Sequence, residues 1–183
     1  MIVCPSCGFD ARDDFAFCPK CATPLRGPSS ITEQRKVVTT LFCDLVSFTE
    51  MSEAADPEDV DALLGSYAQR ARRVIESHGG TVEKFVGDAV VGVFGVPTVH
   101  EDDPERAVRA GLRLIEALEG LTRPDGSPLQ ARVGINTGEA LVRLDVEPAS
   151  GRGFLAGDAV NTAARLEAAA PPLGVVVGAL AGC

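Results

Sequence analysis

Apolar and polar positions along the 183-residue chain change their spacing several times, and each change marks an element. Val37-Val38-Thr39-Thr40-Leu41-Phe42-Cys43 is a β-branched and apolar run without alternation, the pattern of a central strand buried on both faces, and it delivers Asp44 at its C-terminal end. Asp56-Pro57 reads as an N-cap followed by an N1 proline. From there Val60, Leu63, Leu64, Tyr67, Ala71, Val74 and Ile75 recur with helical period up to Gly79, a residue suited to the C-terminal cap. Thr81 to Val86 and Ala89 to Phe94 are short strand-like runs joined by Gly87-Asp88, which predicts a hairpin with an aspartate at its tip. A second helix is expected from Asp103-Pro104 to about Glu119, with Ala107, Val108, Gly111, Leu114, Ile115 and Leu118 inward. Gly120 to Gln130 reads as a loop. Strands are expected at Ala131 to Asn136 and Glu139 to Leu144, then a helix from about Asp158 to Ala169 and a last strand at Gly174 to Val177. The order is β-α-β-β-α-β with additions, an α+β sandwich of the ferredoxin-like kind with helices on one sheet face.

Ahead of this unit the pattern is different. Residues 22 to 34 mix Pro, Gly, Ser and Thr with little periodicity and read as a linker, so the chain divides into a small unit at 1–26, a linker at 27–34 and a main domain at 35–183. Four of the six cysteines form Cys4-Pro-Ser-Cys7 and Cys18-Pro-Lys-Cys21, two Cys-x-x-Cys pairs separated by ten residues. Two such knuckles can present four thiolates at about 2.3 Å in a closed tetrahedron, the geometry of structural Zn²⁺. A unit of this size cannot build a core, so the metal would supply its folding energy. Redox dithiols are the competing reading, but that chemistry uses one Cys-x-x-Cys on a larger fold. Cys43 reads as a buried strand residue.

Charge narrows the partners. Seventeen Lys+Arg against 26 Asp+Glu leave a net charge of −9, which argues against a general nucleic-acid or anionic-membrane binder. The start lacks the basic and apolar regions of a secretory leader, and the longest nearly apolar stretch, Ala89 to Val99, is well short of the roughly 18 residues a membrane span needs. A cytoplasmic protein is the expectation.

Asp44 ends the first strand and Asp88 sits in the turn of a hairpin expected beside it, so two carboxylates can meet at one sheet edge. Such a pair suits hard cations, above all Mg²⁺ carried in on a nucleotide's phosphates. The segment Leu45-Val46-Ser47-Phe48-Thr49 turns from strand toward helix, and free amides there favour phosphate. No Gly-x-x-x-x-Gly-Lys-Ser/Thr occurs, which excludes a P-loop. Taken singly, strand-end and turn aspartates are more often structural caps than catalytic groups. Asn161 and Arg165 are i and i+4 on one helix, where Arg can hold a phosphate oxygen, although an isolated surface arginine more often pairs with a carboxylate, here Glu167 or another.

Three runs carry a resemblance: Val38-Thr39-Thr40-Leu41-Phe42-Cys43-Asp44-Leu45-Val46-Ser47-Phe48-Thr49, Lys84-Phe85-Val86-Gly87-Asp88-Ala89-Val90-Val91-Gly92-Val93-Phe94-Gly95, and Gly157-Asp158-Ala159-Val160-Asn161-Thr162-Ala163-Ala164-Arg165-Leu166-Glu167. Together with Gly134-Ile135-Asn136-Thr137-Gly138, they resemble the core motifs of class III nucleotidyl cyclases, and residues 1–26 resemble the zinc-ribbon leaders of bacterial multidomain members. The resemblance implies a head-to-tail homodimer with active sites at the interface, making cyclic AMP and pyrophosphate from ATP with two Mg²⁺ or Mn²⁺ ions. Asp44, Asp88 and the Leu45 carbonyl would hold the metals in one protomer. The partner would supply Lys84 to read adenine, Asn161 to position the ribose and Arg165 to neutralise phosphate charge.

Two departures qualify it. Seven residues before Asn161, where the family often has Asp or Thr to help read the base, stands Phe154, whose ring cannot accept the adenine amino proton; stacking on the purine is the role left to it. The chain also stops soon after Val177, where members continue, so an incomplete C-terminal end is expected. Three functions fit these features: an active adenylate cyclase, a weak or inactive nucleotide-binding cyclase homology module that regulates a partner, or a protein whose functional end is the ribbon, docking on another protein. His78 and His100 read as surface residues, and no Ser-His or Cys-His arrangement suggests a protein nucleophile.

Overall fold

The computed structural model describes residues 2–12, 15, 17–25, 33–143 and 154–179. Residues 27–32 of the expected linker, Leu144 at the end of an expected strand, and the chain end at 180–183 lie outside that set. The chain divides into two compact units, Met1–Thr32 and Glu33–Cys183.

In the first unit β1 (Ile2–Val3) pairs antiparallel with β2 (Asp10–Ala11). The two Cys-x-x-Cys segments repeat one hydrogen-bond pattern. Cys4 N–H donates to Phe9 O and Gly8 N–H to Cys4 O; Cys18 N–H donates to Thr23 O and Ala22 N–H to Cys18 O. The fifth residue of each turn is left-handed, Gly8 at φ 67° and Ala22 at φ 55°. Glycine adopts that conformation freely, whereas alanine does so at a cost of about 1 kcal/mol.

The second unit is a six-stranded sheet in the order β4-β5-β3-β6-β7, with β8 pairing parallel to β6 at residues 133–135. Its strands are β3 (Glu33–Leu45), β4 (Thr81–Val86), β5 (Ala89–Phe94), β6 (Ala131–Arg143), β7 (Leu155–Ala156) and β8 (Val175–Val177). The helices are α1 (Phe48–Ala54), α2 (Pro57–Ser77), α3 (Asp103–Ala117) and α4 (Asp158–Ala169). The expected β-α-β-β-α-β order is present as β3-α2-β4-β5-α3-β6. None of these helices is long and apolar enough to cross a membrane.

Two expectations shift in detail. The first strand begins at Glu33 rather than Val37, and the two strands expected on either side of Thr137 are one strand, β6. The reason is common to both: β3 and β6 pair without a break from Glu33↔Arg143 to Leu45↔Ala131, so Gly138 is carried through by its partner Val38 instead of ending the strand. Cross-strand hydrogen bonds override a local breaker when both neighbours are in register.

Alternation along these strands decides the two faces of the sheet. Leu41, Cys43 and Leu45 of β3 and Ala131, Val133 and Ile135 of β6 join Leu63, Tyr67, Ile75, Ala107 and Leu114 in the larger core, under α2 and α3. The helices of the β-α-β-β-α-β core therefore share one face, as expected. The added helix α4 takes the other. There, a Cβ on Gly134 would collide with the Glu167 amide nitrogen and the Ala163 carbonyl, which is how closely α4 lies on β6. Asp44, Arg132 and Gly134 are on this second face by strand alternation. A smaller cluster continues it with Val38, Val93, Val96, Ala140, Val142, Phe154 and Leu155.

Candidate functional site

The register of the sheet brings the two predicted carboxylates together. β3 and β5 pair up to Cys43↔Val90, and one more step places Asp44 and Leu45 against the Gly87-Asp88 loop. That loop is a two-residue hairpin turn with Gly87 at φ 60°, a conformation closed to most side chains. Asp88 is half-buried, and its carboxyl is pushed up to about 6, first by loss of water and then by the neighbouring charge of Asp44. Hydrogen bonds from its own backbone N–H and that of Leu45 oppose the rise. Two carboxylates held together at this cost are a donor set of hard oxygens that a divalent cation would relieve, so the residues present fit Mg²⁺ or Mn²⁺.

Arg132, which the sequence reading missed, lies under this pair. It is the cross-strand partner of Asp44, with Nη2 3.3 Å from Asp44 Oδ2 and Nε 3.2 Å from Glu167 Oε1 on α4. Burial, and then repulsion from Asp44, hold the Glu167 carboxyl above its ordinary value, while Arg132 pulls it down. A signal was available: an arginine inside an otherwise apolar strand needs a carboxylate partner. Glu167 faces Arg132 rather than Arg165, whose Nη2 donates to the Thr162 hydroxyl at 3.1 Å.

The stretch after Asp44 is held from two sides. Val46 N–H donates to Gln130 O at 2.9 Å, and the Arg123 guanidinium donates to Val46 O. Ser47 then takes a left-handed conformation, φ 54° and ψ 34°, at the entry to α1, a strained geometry of the sort that collects at functional loops. The Leu45 side chain is buried in the larger core and Phe48 packs against it. Thr49 accepts a hydrogen bond from the Ser52 hydroxyl through its carbonyl.

Asn161 and Arg165 are exposed on the outer side of α4, whereas Ala159, Ala163 and Glu167 face the sheet. Half a helical turn separates the two sets, so one chain presents the carboxylates and the Asn-Arg pair on opposite sides of α4. Lys84 is on β4, its side chain 32% exposed, with Nζ 3.4 Å from Glu83 Oε2. Phe154 is 2% exposed within the smaller core, so its ring is not at the surface. His78 Nδ1 contacts Val74 O and His100 contacts Asp103, both in the manner of helix-end caps. A cavity of about 650 Å³ lies between β6, β7 and the start of α4, bordered by Arg35, Asn136, Thr137, Asp158 and Thr162; none of Asp44, Asp88, Lys84, Asn161 or Arg165 lines it.

In the first unit Cys4, Cys7, Cys18 and Cys21 bring their four Sγ atoms within 4.8 Å of one another, with Cys4–Cys21 at 3.5 Å and Cys7–Cys18 at 3.6 Å. A tetrahedron with bonds of about 2.3 Å has edges near 3.8 Å, so the cluster fits a single Zn²⁺. The Thr23 hydroxyl, 3.1 Å from Cys21 Sγ, and then the Thr23 amide bring the Cys21 thiol down to about 6, toward the thiolate a metal requires.

Residues 31–180 match the family described as adenylate and guanylate cyclase catalytic domain, and residues 3–25 match the zinc-ribbon domain family. The chain belongs to the class III nucleotidyl cyclase family. Adenylate cyclase 1 of Rhizobium meliloti is 36% identical over 73% of this chain, and the rat guanylate cyclase soluble subunit beta-2 is 35% identical over 76%. The chain spans about a fifth of the length of each of those relatives, 21% in both cases. Among solved structures, the adenylyl cyclase CyaB from P. aeruginosa superposes with TM-score 0.68 at 33% identity, covering 79% of this chain and 78% of that one. The monomeric guanylyl cyclase domain of the RhoGC fusion protein from Blastocladiella emersonii gives TM-score 0.72 at 26% identity, covering 80% and 83%. Cyclases of both purine specificities are thus comparably similar to this one. The same fungal domain has also been crystallised as a non-canonical dimer.

Proposed function

We propose that this cyclase domain is an adenylate cyclase, converting ATP to 3′,5′-cyclic AMP and pyrophosphate in an active site shared between two copies of the chain in the cytoplasm. The observation that carries the reading is the division of the site residues. Asp44 and Asp88 meet at one sheet edge, while Asn161 and Arg165 face outward from the far side of α4. A second protomer placed head to tail would close each set on the other.

In that arrangement Asp44, Asp88 and the Leu45 carbonyl would hold two Mg²⁺ or Mn²⁺ ions, which supply acidification of the ribose 3′-hydroxyl and charge neutralisation at the triphosphate. The chain's own groups do the rest. Loop 45–49 sits beside the carboxylates, where the triphosphate would lie. Lys84 donates a hydrogen bond to a ring nitrogen of adenine, and Asn161 orients the ribose. Arg165 binds the phosphate oxygens on which negative charge accumulates as the 3′-oxygen attacks the α-phosphorus and pyrophosphate departs. Lysine at position 84 is what favours ATP in this reading, because it matches the adenine-reading lysine of the family. The ribbon, with a structural Zn²⁺, is then a separate module for a protein partner.

Turnover of ATP and GTP by the purified chain with Mg²⁺ or Mn²⁺ tests the assignment; a preference for GTP would overturn the substrate, and no cyclic nucleotide from a folded dimer would overturn the reaction. Asp44→Ala and Asn161→Ala protomers, each inactive alone, are expected to regain up to about a quarter of wild-type turnover when mixed one to one, since half of the dimers are mixed and each carries one competent site of two. Lack of recovery despite subunit exchange would refute the shared site.

A further inference from the structure

β4 carries an irregularity whose position matters. Val82 pairs with Gly92 and Lys84 with Val91, so Glu83 is an extra residue in the strand, a β-bulge. With regular alternation Lys84 would share the face of Val82, which is buried in the larger core beneath α2. The bulge turns Lys84 to the opposite face and leaves Glu83 on the same side as the lysine. The strand thus exchanges a regular ladder for two adjacent charged groups on the site face.

Glu83 is 1% exposed. Its Oε1 accepts the Leu155 N–H at 3.4 Å, and its Oε2, 3.4 Å from Lys84 Nζ, has no hydrogen-bond partner among the described residues. A buried carboxylate is costly unless a cation compensates it, whereas a glutamine could accept the Leu155 N–H without that penalty. The charge is therefore matched to the lysine rather than to the amide. A free lysine ammonium wanders over four rotatable bonds; a carboxylate fixed in the core removes much of that freedom and aims the ammonium. Leu155 follows Phe154, which offers no acceptor and is itself buried. The pose of Lys84 is accordingly the main polar determinant that these residues offer a base.

We propose that Glu83 is a positioning residue that holds Lys84 in its purine-reading pose and so sets the selectivity between ATP and GTP. The inference rests on the reading of Lys84 given under Proposed function. Its test is the ratio of kcat/KM for ATP to that for GTP, measured with Mn²⁺ on the full chain carrying Glu83→Gln, Lys84→Ala or both. Glu83→Gln keeps the shape and the Leu155 contact. It is expected to lower kcat/KM for the preferred nucleotide about tenfold, mainly through KM, with melting temperature held, the size of one charge-assisted contact. The ratio should move to that of Lys84→Ala, and the second substitution should add nothing in the Lys84→Ala background. A wild-type ratio in Glu83→Gln, or full additivity, overturns the proposal while leaving the lysine reading intact. A wild-type ratio in Lys84→Ala instead removes the lysine reading and this proposal with it. If Glu83→Gln does not fold, Glu83→Asp, which keeps the charge but draws it back by one methylene, should shift the ratio the same way, and no shift there overturns the role. Should turnover be too slow to measure, competition of ATP and of GTP against a fluorescent nucleotide reads the same ratio.

Discussion

The chain holds two candidate metal sites built on opposite principles. In the ribbon, four sulfurs converge from two short knuckles, with a pair of two-residue strands and the Phe17↔Pro24 bridge around them. In the cyclase unit, Asp44 and Asp88 are delivered by a continuous sheet whose core is complete without them. One site would make its fold, the other uses a fold already made. The difference teaches where metal binding energy goes: into ordering the chain in the first case, and into lowering a reaction barrier in the second.

The contrast is broken most directly at the ribbon. Chelation or Cys18→Ser is expected to unfold residues 2–25 outright, because structural zinc contributes about 10–16 kcal/mol in such small units. The β3–β6 sheet should melt at an unchanged temperature. Amide spectra with and without chelator read both halves at once; a ribbon that keeps its fold without metal would refute its dependence on the four sulfurs.

The carboxylates should behave in the reverse manner. Asp44→Ala or Asp88→Ala is expected to lower kcat by at least about a thousandfold, the scale of losing preorganised charge stabilisation, while circular dichroism and melting temperature change little. Near-normal rates in both variants would remove the metal assignment. Asp88→Ala is the cleaner of the two, because Asp44→Ala also leaves Arg132 with Glu167 as its remaining close carboxylate.

How legible all this was in the sequence follows from the range of each interaction. Elements with a strong local pattern, such as α2 with its Asp56 cap accepting from Glu58 N–H and its buried Leu63, Tyr67, Ala71, Val74 and Ile75, matched the expectation closely. The meeting of Asp44 and Asp88 was legible because a tip aspartate and a strand-end aspartate need only one register to coincide. Arg132, Glu167 and Arg123 were not, since each acts on a residue 35 or more positions away, across the sheet or over a loop. Glu83 was hidden for another reason: its role depends on a bulge, and a strand pattern read with period two assigns Glu83 and Lys84 to opposite faces. The left-handed Ala22 was equally invisible, for its conformation is imposed by the repeat of the Gly8 turn and not by its own preference.

The smallest expected effect sharpens the comparison by asking what the cyclase site costs when no cation offsets it. Asp88 is pushed up to about 6 in the folded chain, by loss of water and by Asp44, from 3.8 for an ordinary aspartate. Below about pH 4 both folded and unfolded chains hold the proton, and the group does not weigh on stability. Between about pH 4 and 6 the unfolded chain releases it first, so stability falls as pH rises and levels off above the folded value. Cation binding requires the released form, so affinity for Mg²⁺ or Mn²⁺ should climb over the same window, and saturating cation should flatten the stability profile. Melting curves in chelator from pH 4 to 7, compared between the wild-type chain and Asp88→Asn, isolate this group from Glu167, which is also raised. The wild type should lose melting temperature across the window relative to Asp88→Asn. Parallel profiles would mean that the two carboxylates do not burden the fold, and that the pair is held together by the sheet at no cost for a cation to relieve.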